Sequence, residues 1–300
     1  MESQAATMRL IRSKTTIPVP EIYALDTTDN NEIGAPYLCM SFIHGKTVSE
    51  VWLGHLGALP QEELRLRILK SLSRTMAQFS CLTFDKMGSI MEDGSGSTII
   101  GPLYDWHENE DGSLQVAASG PFDSTSAFLK KHSIISSNEN NILVNDEGTI
   151  TGLIDWDLAQ TVPRFIGYAR YPGWITRDWD PLMYGWPKMA ESEDSPVSLK
   201  RYRAYYNMEL GKALKWQGDW KFTEKSHIVE ATWIATLHRH NRLEISRKFV
   251  QVAVDDDIEA LDVLYDIGAG HYGEEGWSHT HNPCACWTQI PIEGGYKAGG

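Results

Sequence analysis

Asn141-Ile142-Leu143-Val144-Asn145-Asp146-Glu147-Gly148-Thr149-Ile150-Thr151-Gly152-Leu153-Ile154-Asp155-Trp156-Asp157 reads as a β-hairpin with polar ends. Ile142-Leu143-Val144 and Ile150-Thr151-Gly152-Leu153-Ile154 are short apolar runs rich in β-branched residues. Asp146-Glu147-Gly148 supplies the turn, its glycine free to take a positive φ. A hairpin returns the chain on itself, so Asn141 and Asp155 are expected side by side. Amide and carboxylate oxygens suit a hard cation such as Mg²⁺, which keeps water and phosphate oxygens as its other ligands. The chemistry served by such a pair is phosphoryl transfer. The same run also describes an ordinary hairpin with polar ends.

Outward from the hairpin, four stretches add to the reading: Thr7-Met8-Arg9-Leu10-Ile11-Arg12, Ile17-Pro18-Val19-Pro20-Glu21-Ile22-Tyr23-Ala24, Gly34-Ala35-Pro36-Tyr37, and the tryptophan-rich segment after Asp155. With them the sequence resembles the aminoglycoside phosphotransferase family, the small-molecule branch of the protein-kinase-like fold, and its fungal members in particular. The resemblance implies an α+β fold. Residues 1–45 are then a remnant of the N-terminal nucleotide lobe and hinge. Residues 46–267 form a mainly helical C-terminal lobe with the metal site, and 268–300 a tail expected to be disordered.

In that family an asparagine closes the catalytic loop and a later aspartate binds the nucleotide-bound Mg²⁺; by position these roles fall to Asn141 and Asp155. Pro36 to Ile43 reads as the strand entering the hinge, so backbone groups of Met40, Ser41 and Phe42 are expected to face the adenine of ATP. A buried strand with no ligand is the alternative. Acidic residues of the C-terminal lobe bind substrate amines in the family, which makes Asp178 and Asp180 candidate substrate contacts. The alternative is that the Trp/Pro segment around them packs a long loop onto helices.

Two departures bear on activity. The family's catalytic aspartate lies five residues before the asparagine, with a histidine two further back; here those positions are Ser136 and Ile134. A serine hydroxyl does not accept a proton near neutral pH, so no intact catalytic base is expected. Glu139 is closer to Asn141, but a shifted carboxylate misses the geometry on which proximity catalysis depends. The family also carries N-terminal strands with a phosphate-covering loop and a lysine. The chain is expected to begin after these, with Glu2 or Gln4 near the lysine's usual partner position and Lys14 and Lys46 as surface cations. The path from Gly120-Pro121-Phe122 to Asn141 is short: Ser124 to Lys131 makes only about two helical turns. The implied activity is therefore ATP-dependent phosphorylation of a small-molecule hydroxyl, impaired in this chain. A non-catalytic pseudokinase-like binding protein, or a truncated product, is the alternative.

Composition sets the compartment and the partners. Three hundred residues with 42% apolar content can bury a full core. A net charge of -13 argues against nucleic acid or an anionic membrane as partner. No run of about 18 apolar residues and no signal peptide is evident, which predicts a cytoplasmic protein with a small-molecule substrate. Four cysteines are too few for a disulfide scaffold, and Cys39 and Cys81 sit in apolar patterns that predict buried thiols.

The remaining elements follow from periodicity. Leu64, Ile68, Leu72 and Met76 predict a long helix after Pro60, its stripe in the core. Residues 88–120 read as loops around a small hairpin. Ser198 to Trp216 and Thr223 to about Asp255 read as two long helices, with His227, His238 and His240 too irregularly spaced for a metal. His271, His279, His281, Cys284 and Cys286 offer zinc ligands, but without the spacing of most structural zinc sites.

Overall fold

In the computed structural model, residues 1–54, 59–108, 112–130, 139–253 and 259–269 are described. Helix α1 (Glu2–Lys14) turns Ala5, Ala6, Met8 and Ile11 inward, a three-to-four-residue spacing that makes one buried face. Strands β1 (Ile22–Asp26) and β2 (Tyr37–Met40) follow as an antiparallel pair, so the strand expected over 36–43 contracts to four residues. Strand β3 (Lys46–Thr47) runs directly into α2 (Val48–Trp52). Thr47 starts that helix with a capping box: its hydroxyl accepts the Glu50 amide, and the Glu50 carboxylate accepts the Thr47 amide at 2.8 Å. The Thr47 amide and, at 2.9 Å, the Thr47 hydroxyl both donate to the Glu50 carboxylate and hold it below its usual range. Helix α3 (Gln61–Ala77) buries Leu64, Ile68, Leu69 and Leu72, the stripe its periodicity announces.

The region after α3 differs from its sequence expectation. Four strands stand there, β4 (Gly88–Glu92), β5 (Thr98–Gly101), β6 (Leu103–Glu108) and β7 (Leu114–Ser119), before α4 (Thr125–Leu129). The polar residues that suggested loop are the turns. Asp93 accepts the amides of Ser95 at 2.8 Å and Ser97 at 2.9 Å, closing the β4–β5 hairpin.

The central hairpin forms as expected from β8 (Ile142–Val144) and β9 (Ile150–Leu153), with Ile142 opposite Leu153 and Leu143 opposite Gly152. Asn145 fastens its turn by accepting the amides of Glu147 and Thr149 at 3.2 and 2.8 Å. Gly148 in that turn has φ 79°, open to glycine at no steric cost. Strand β3 pairs with the free edge of β8. Strand β10 (Gln160–Thr161) pairs with β4, so the sheets run β3-β8-β9 and β10-β4-β5, with β1-β2 and β6-β7 as separate ribbons.

Helix α5 (Pro196–Ala213) begins at Ser195, whose hydroxyl accepts the Ser198 amide at 3.1 Å, and it packs on α3. The single helix expected from Thr223 to Asp255 is divided into α6 (Ser226–Leu237) and α7 (Arg242–Ala253), followed by α8 (Ala260–Gly268). Asn241 marks the break. Its side chain donates to Asp180 at 2.8 Å and accepts the Leu182 amide at 3.2 Å, tertiary bonds that accompany the switch from α-helix to a 3₁₀ turn at Arg239–Asn241.

One core joins these parts. Met8, Ile11, Ile17 and Val19 meet Val51 and Trp52 of α2, the α3 stripe, the β8–β9 hairpin, and Tyr202, Tyr206 and Leu210 of α5. The first 45 residues therefore share the core of those that follow. Cys39 and Cys81 are exposed, a correction to the buried thiols expected from their apolar neighbours. Cys39 lies in the exposed second half of the short two-stranded ribbon, beside the equally exposed Met40, and Cys81 ends a 3₁₀ turn at the surface. No helix among the described residues is long and apolar enough to cross a membrane.

Candidate functional site

The hairpin delivers its two ends to one place. Asn141 closes a short 3₁₀ turn, Glu139–Asn141, and its carbonyl accepts the Ile154 amide at 2.9 Å. Its side-chain Nδ2 donates to Asp155 Oδ2 at 3.0 Å. The juxtaposition anticipated from the sequence is thus present.

Asp155 takes φ 57°, the left-handed region that aspartate, asparagine and glycine tolerate best. The bend sends its carboxylate back toward Asn141 while the next side chain turns inward. Trp156 Nε1 donates to the Leu153 carbonyl at 2.9 Å, and its ring lies 6.4 Å from that of Phe79. On the far side, the Ser49 hydroxyl donates to Asn140 Oδ1 at 2.5 Å, tying the first turn of α2 to the residue beside Asn141. Lys46 pairs with Asp146 at 2.7 Å across the hairpin, but both are exposed, so this bond adds little stability.

Donor chemistry at the pair fits a hard cation. Rotating the Asn141 amide by half a turn exchanges Nδ2 for Oδ1 and leaves two oxygens facing one point. A 3.0 Å separation is close to the edge of an octahedron with bonds of about 2.1 Å. Among the described residues no three His, Cys, Asp or Glu side chains converge on a metal position. A cation held here would draw its remaining ligands from water or phosphate, which is the habit of Mg²⁺.

Behind the pair lies a cavity of about 400 Å³. Leu72 and Met76 of α3 line it with Phe79, with Trp156, Leu158, Val162, Ile166 and Tyr168 of the segment after the hairpin, and with Tyr206 of α5. Asn141, Asp155 and Asp157 belong to the same lining. Burial pushes the Tyr168 hydroxyl up to about 12, with the Asp219 carboxylate adding to the effect. Arg170 is a partly buried member of the lining; desolvation lowers its pKa, opposed by the nearby Glu230 carboxylate. Sequence reading missed this cavity because it took the α3 stripe as core throughout, whereas Leu72 and Met76 also face the space.

The other expected site residues are placed elsewhere. Met40, Ser41 and Phe42 do not line this cavity. The Ser41 amide donates to the Glu21 carbonyl at 2.8 Å and its hydroxyl accepts the Glu21 amide at 2.9 Å, while Phe42 is 81% exposed. Asp178 is 6% exposed, and Arg203 grips its two carboxylate oxygens at 2.6 and 3.1 Å. Lys248 reaches the same carboxylate at 3.4 Å and also donates to the Asp178 carbonyl. Asp178 is thus engaged inside the protein, not displayed toward a ligand. Asp180 accepts from Asn241 and is partly exposed. Ser136 and Ile134, and the His/Cys segment from His271 onward, lie outside the described residues.

No protein-family model matches the chain. A Subtelomeric hrmA-associated cluster protein of Aspergillus fumigatus is 41% identical over 51 residues, 17% of this chain and 10% of that protein. Altered inheritance of mitochondria protein 9, mitochondrial, of Candida albicans is 27% identical over 168 residues, 53% of this chain and 24% of the relative. Its Candida dubliniensis counterpart is 28% identical over 172 residues, 54% and 24% of the two chains. The stretches shared with these curated relatives span about a tenth to a quarter of the relatives' own length.

Proposed function

We propose that the chain is an aminoglycoside phosphotransferase-like protein of the protein-kinase-like superfamily, in which Asn141 and Asp155 hold the Mg²⁺ of a bound nucleotide. The observation that carries this reading is the 3.0 Å approach of the Asn141 amide to the Asp155 carboxylate. A left-handed backbone at a non-glycine residue costs roughly 1 kcal/mol or more, and such strain concentrates where geometry serves a ligand.

Bound there, Mg²⁺ supplies charge neutralisation for the phosphates during phosphoryl transfer. The residues themselves do the orienting. Asp155 offers its carboxylate, Asn141 its amide oxygen, and the buried hairpin fixes both. Removing the proton of an attacking hydroxyl needs a base, and Ser136 stands where the resemblance implies a carboxylate. Loss of a general base costs about 10²–10⁴-fold in rate. The same residue favours the second reading, a pseudokinase-like protein that binds nucleotide or ligand without turnover.

The test is ATP turnover by the full chain against a panel of amino sugars and choline-like alcohols, beside Mn²⁺ binding read by electron paramagnetic resonance. We expect Mn²⁺ to bind and turnover to be negligible. Robust turnover abolished by Asp155→Ala sinks the impaired reading; absence of Mn²⁺ binding sinks the metal site. The cytoplasmic location inferred from composition stands as a proposal beside the mitochondrial one suggested by the names of the Candida relatives. Fractionation of cells expressing the tagged protein separates the two.

A further inference from the structure

The cavity behind Asn141 and Asp155 has a chemistry of its own. At about 400 Å³ it is more than twice the roughly 150 Å³ of an apolar protein cavity that takes up benzene. Its body is made by Leu72, Met76, Phe79, Ile166 and the rings of Trp156 and Tyr168. Phe79 stands 6.4 Å from each of those two rings, so three neighbouring aromatic groups contribute to the lining. The polar side chains of the lining include Asn141, Asp155, Asp157, Gln160 and Arg170.

Leu158 also belongs to the lining. This leucine is 59% exposed at the cavity lining and holds φ 59°, a left-handed conformation that a bulky residue rarely adopts. An exposed leucine strained into that position presents an apolar rim to whatever enters.

We infer that the cavity binds a small, largely apolar alcohol, aromatic or branched, with its body among Met76, Phe79 and Ile166 and its hydroxyl toward Asn141 and Asp155. The orientation of the hydroxyl rests on the phosphotransferase-like reading; the apolar preference rests on the lining alone. An amino sugar is a poor occupant, because most of its hydroxyls and amines would meet hydrocarbon and lose their water without replacement. A compact alcohol places its one polar group where the polar lining is.

The probe is 2-phenylethanol, added to the full chain and observed by saturation-transfer NMR, with kanamycin as comparator. The inference expects saturation transfer to phenylethanol, no displacement by kanamycin, and a fall of at least about tenfold in apparent affinity for Met76→Trp, which fills the cavity. Ile166→Phe gives an independent filling variant should Met76→Trp fail to fold. Equal binding by wild type and a folded filling variant overturns the inference, as does displacement by kanamycin or the absence of saturation transfer. Mn²⁺ is then added: broadening of the bound phenylethanol signals in wild type, and not in Asp155→Asn, supports the orientation. Phenylethanol binding without that broadening defeats the cation reading and leaves the apolar site standing.

Discussion

Replacing Asp178 by alanine tests whether this carboxylate holds the fold together. It lies 6% exposed, with the Arg203 fork on both oxygens and the Lys248 amine at 3.4 Å. Arg203 is equally buried and keeps a second bond, to the Ile175 carbonyl at 2.7 Å. Taking away the one anion leaves two cations in a poorly solvated place, a loss of about 3–5 kcal/mol when a buried pair is broken from one side. With a urea m-value of about 3 kcal/mol/M for a chain of this size, the midpoint should fall by roughly 1–1.7 M.

A pH signature accompanies that loss. Burial already lowers the Lys248 pKa from 10.5, and the Asp178 carboxylate opposes the drop. Without Asp178 the folded-state pKa falls further. The unfolded chain then binds more protons than the folded one between the depressed value and about 10.4, so the variant should regain stability as pH rises through that window. Urea titrations followed by far-UV circular dichroism at pH 7 and pH 9.5 measure both effects. Pairing Asp178→Leu with Arg203→Met should recover part of the loss, since apolar replacement of a whole buried pair is often tolerated. A midpoint shift below about 0.2 M, corresponding to well under 1 kcal/mol, would falsify the structural role and return Asp178 to the candidate substrate contacts.

Further outcomes are expected elsewhere. Burial, with the Arg203 guanidinium next, pushes His227 from 6.5 down to about 3, so its stabilising neutral form is fully present above 6.5 and lost as pH falls toward 3. His227→Phe should flatten the acid limb of a thermal-denaturation profile between those values, and an unchanged limb refutes the assignment. Asp155→Asn should weaken Mn²⁺ binding at least about tenfold while leaving the melting temperature within a few degrees; a large drop in stability instead would make Asp155 structural. Gly152→Ala should cost about 1–3 kcal/mol, because its new Cβ would sit 2.6 Å from the Ile43 side chain, and a neutral result in urea denaturation shows that the β9 face can yield.

Local chemistry made the hairpin legible. Ile142 to Val144 and Ile150 to Leu153 are two short, largely buried apolar runs joined by a turn at Asn145–Gly148, and both ends follow from that geometry. The α3 stripe was equally plain, since Leu64, Ile68 and Leu72 obey helical spacing. What escaped the sequence depended on distant partners. Asn241 sits at the break between two helices, where Asp180 and the Leu182 amide, some sixty positions earlier, claim its side chain. Asp178 looks like a free carboxylate until Arg203 and Lys248 arrive from α5 and α7. The cavity, likewise, exists only once α3, α5 and the segment after Asp155 are brought together, and no single stretch announces it.

The left-handed turn at Asp155 also bears on how this site would change over generations. Its backbone admits few residues comfortably, and aspartate and asparagine are two of them. The fold by itself therefore disfavours most substitutions there, whether or not any phosphate is ever moved. Without any selection for a ligand, position 155 would still be confined mainly to aspartate, asparagine or glycine, the residues that take that backbone at least cost. A short residue at position 155 is therefore a record of shape, and only a carboxylate kept in preference to asparagine and glycine would speak for a ligand.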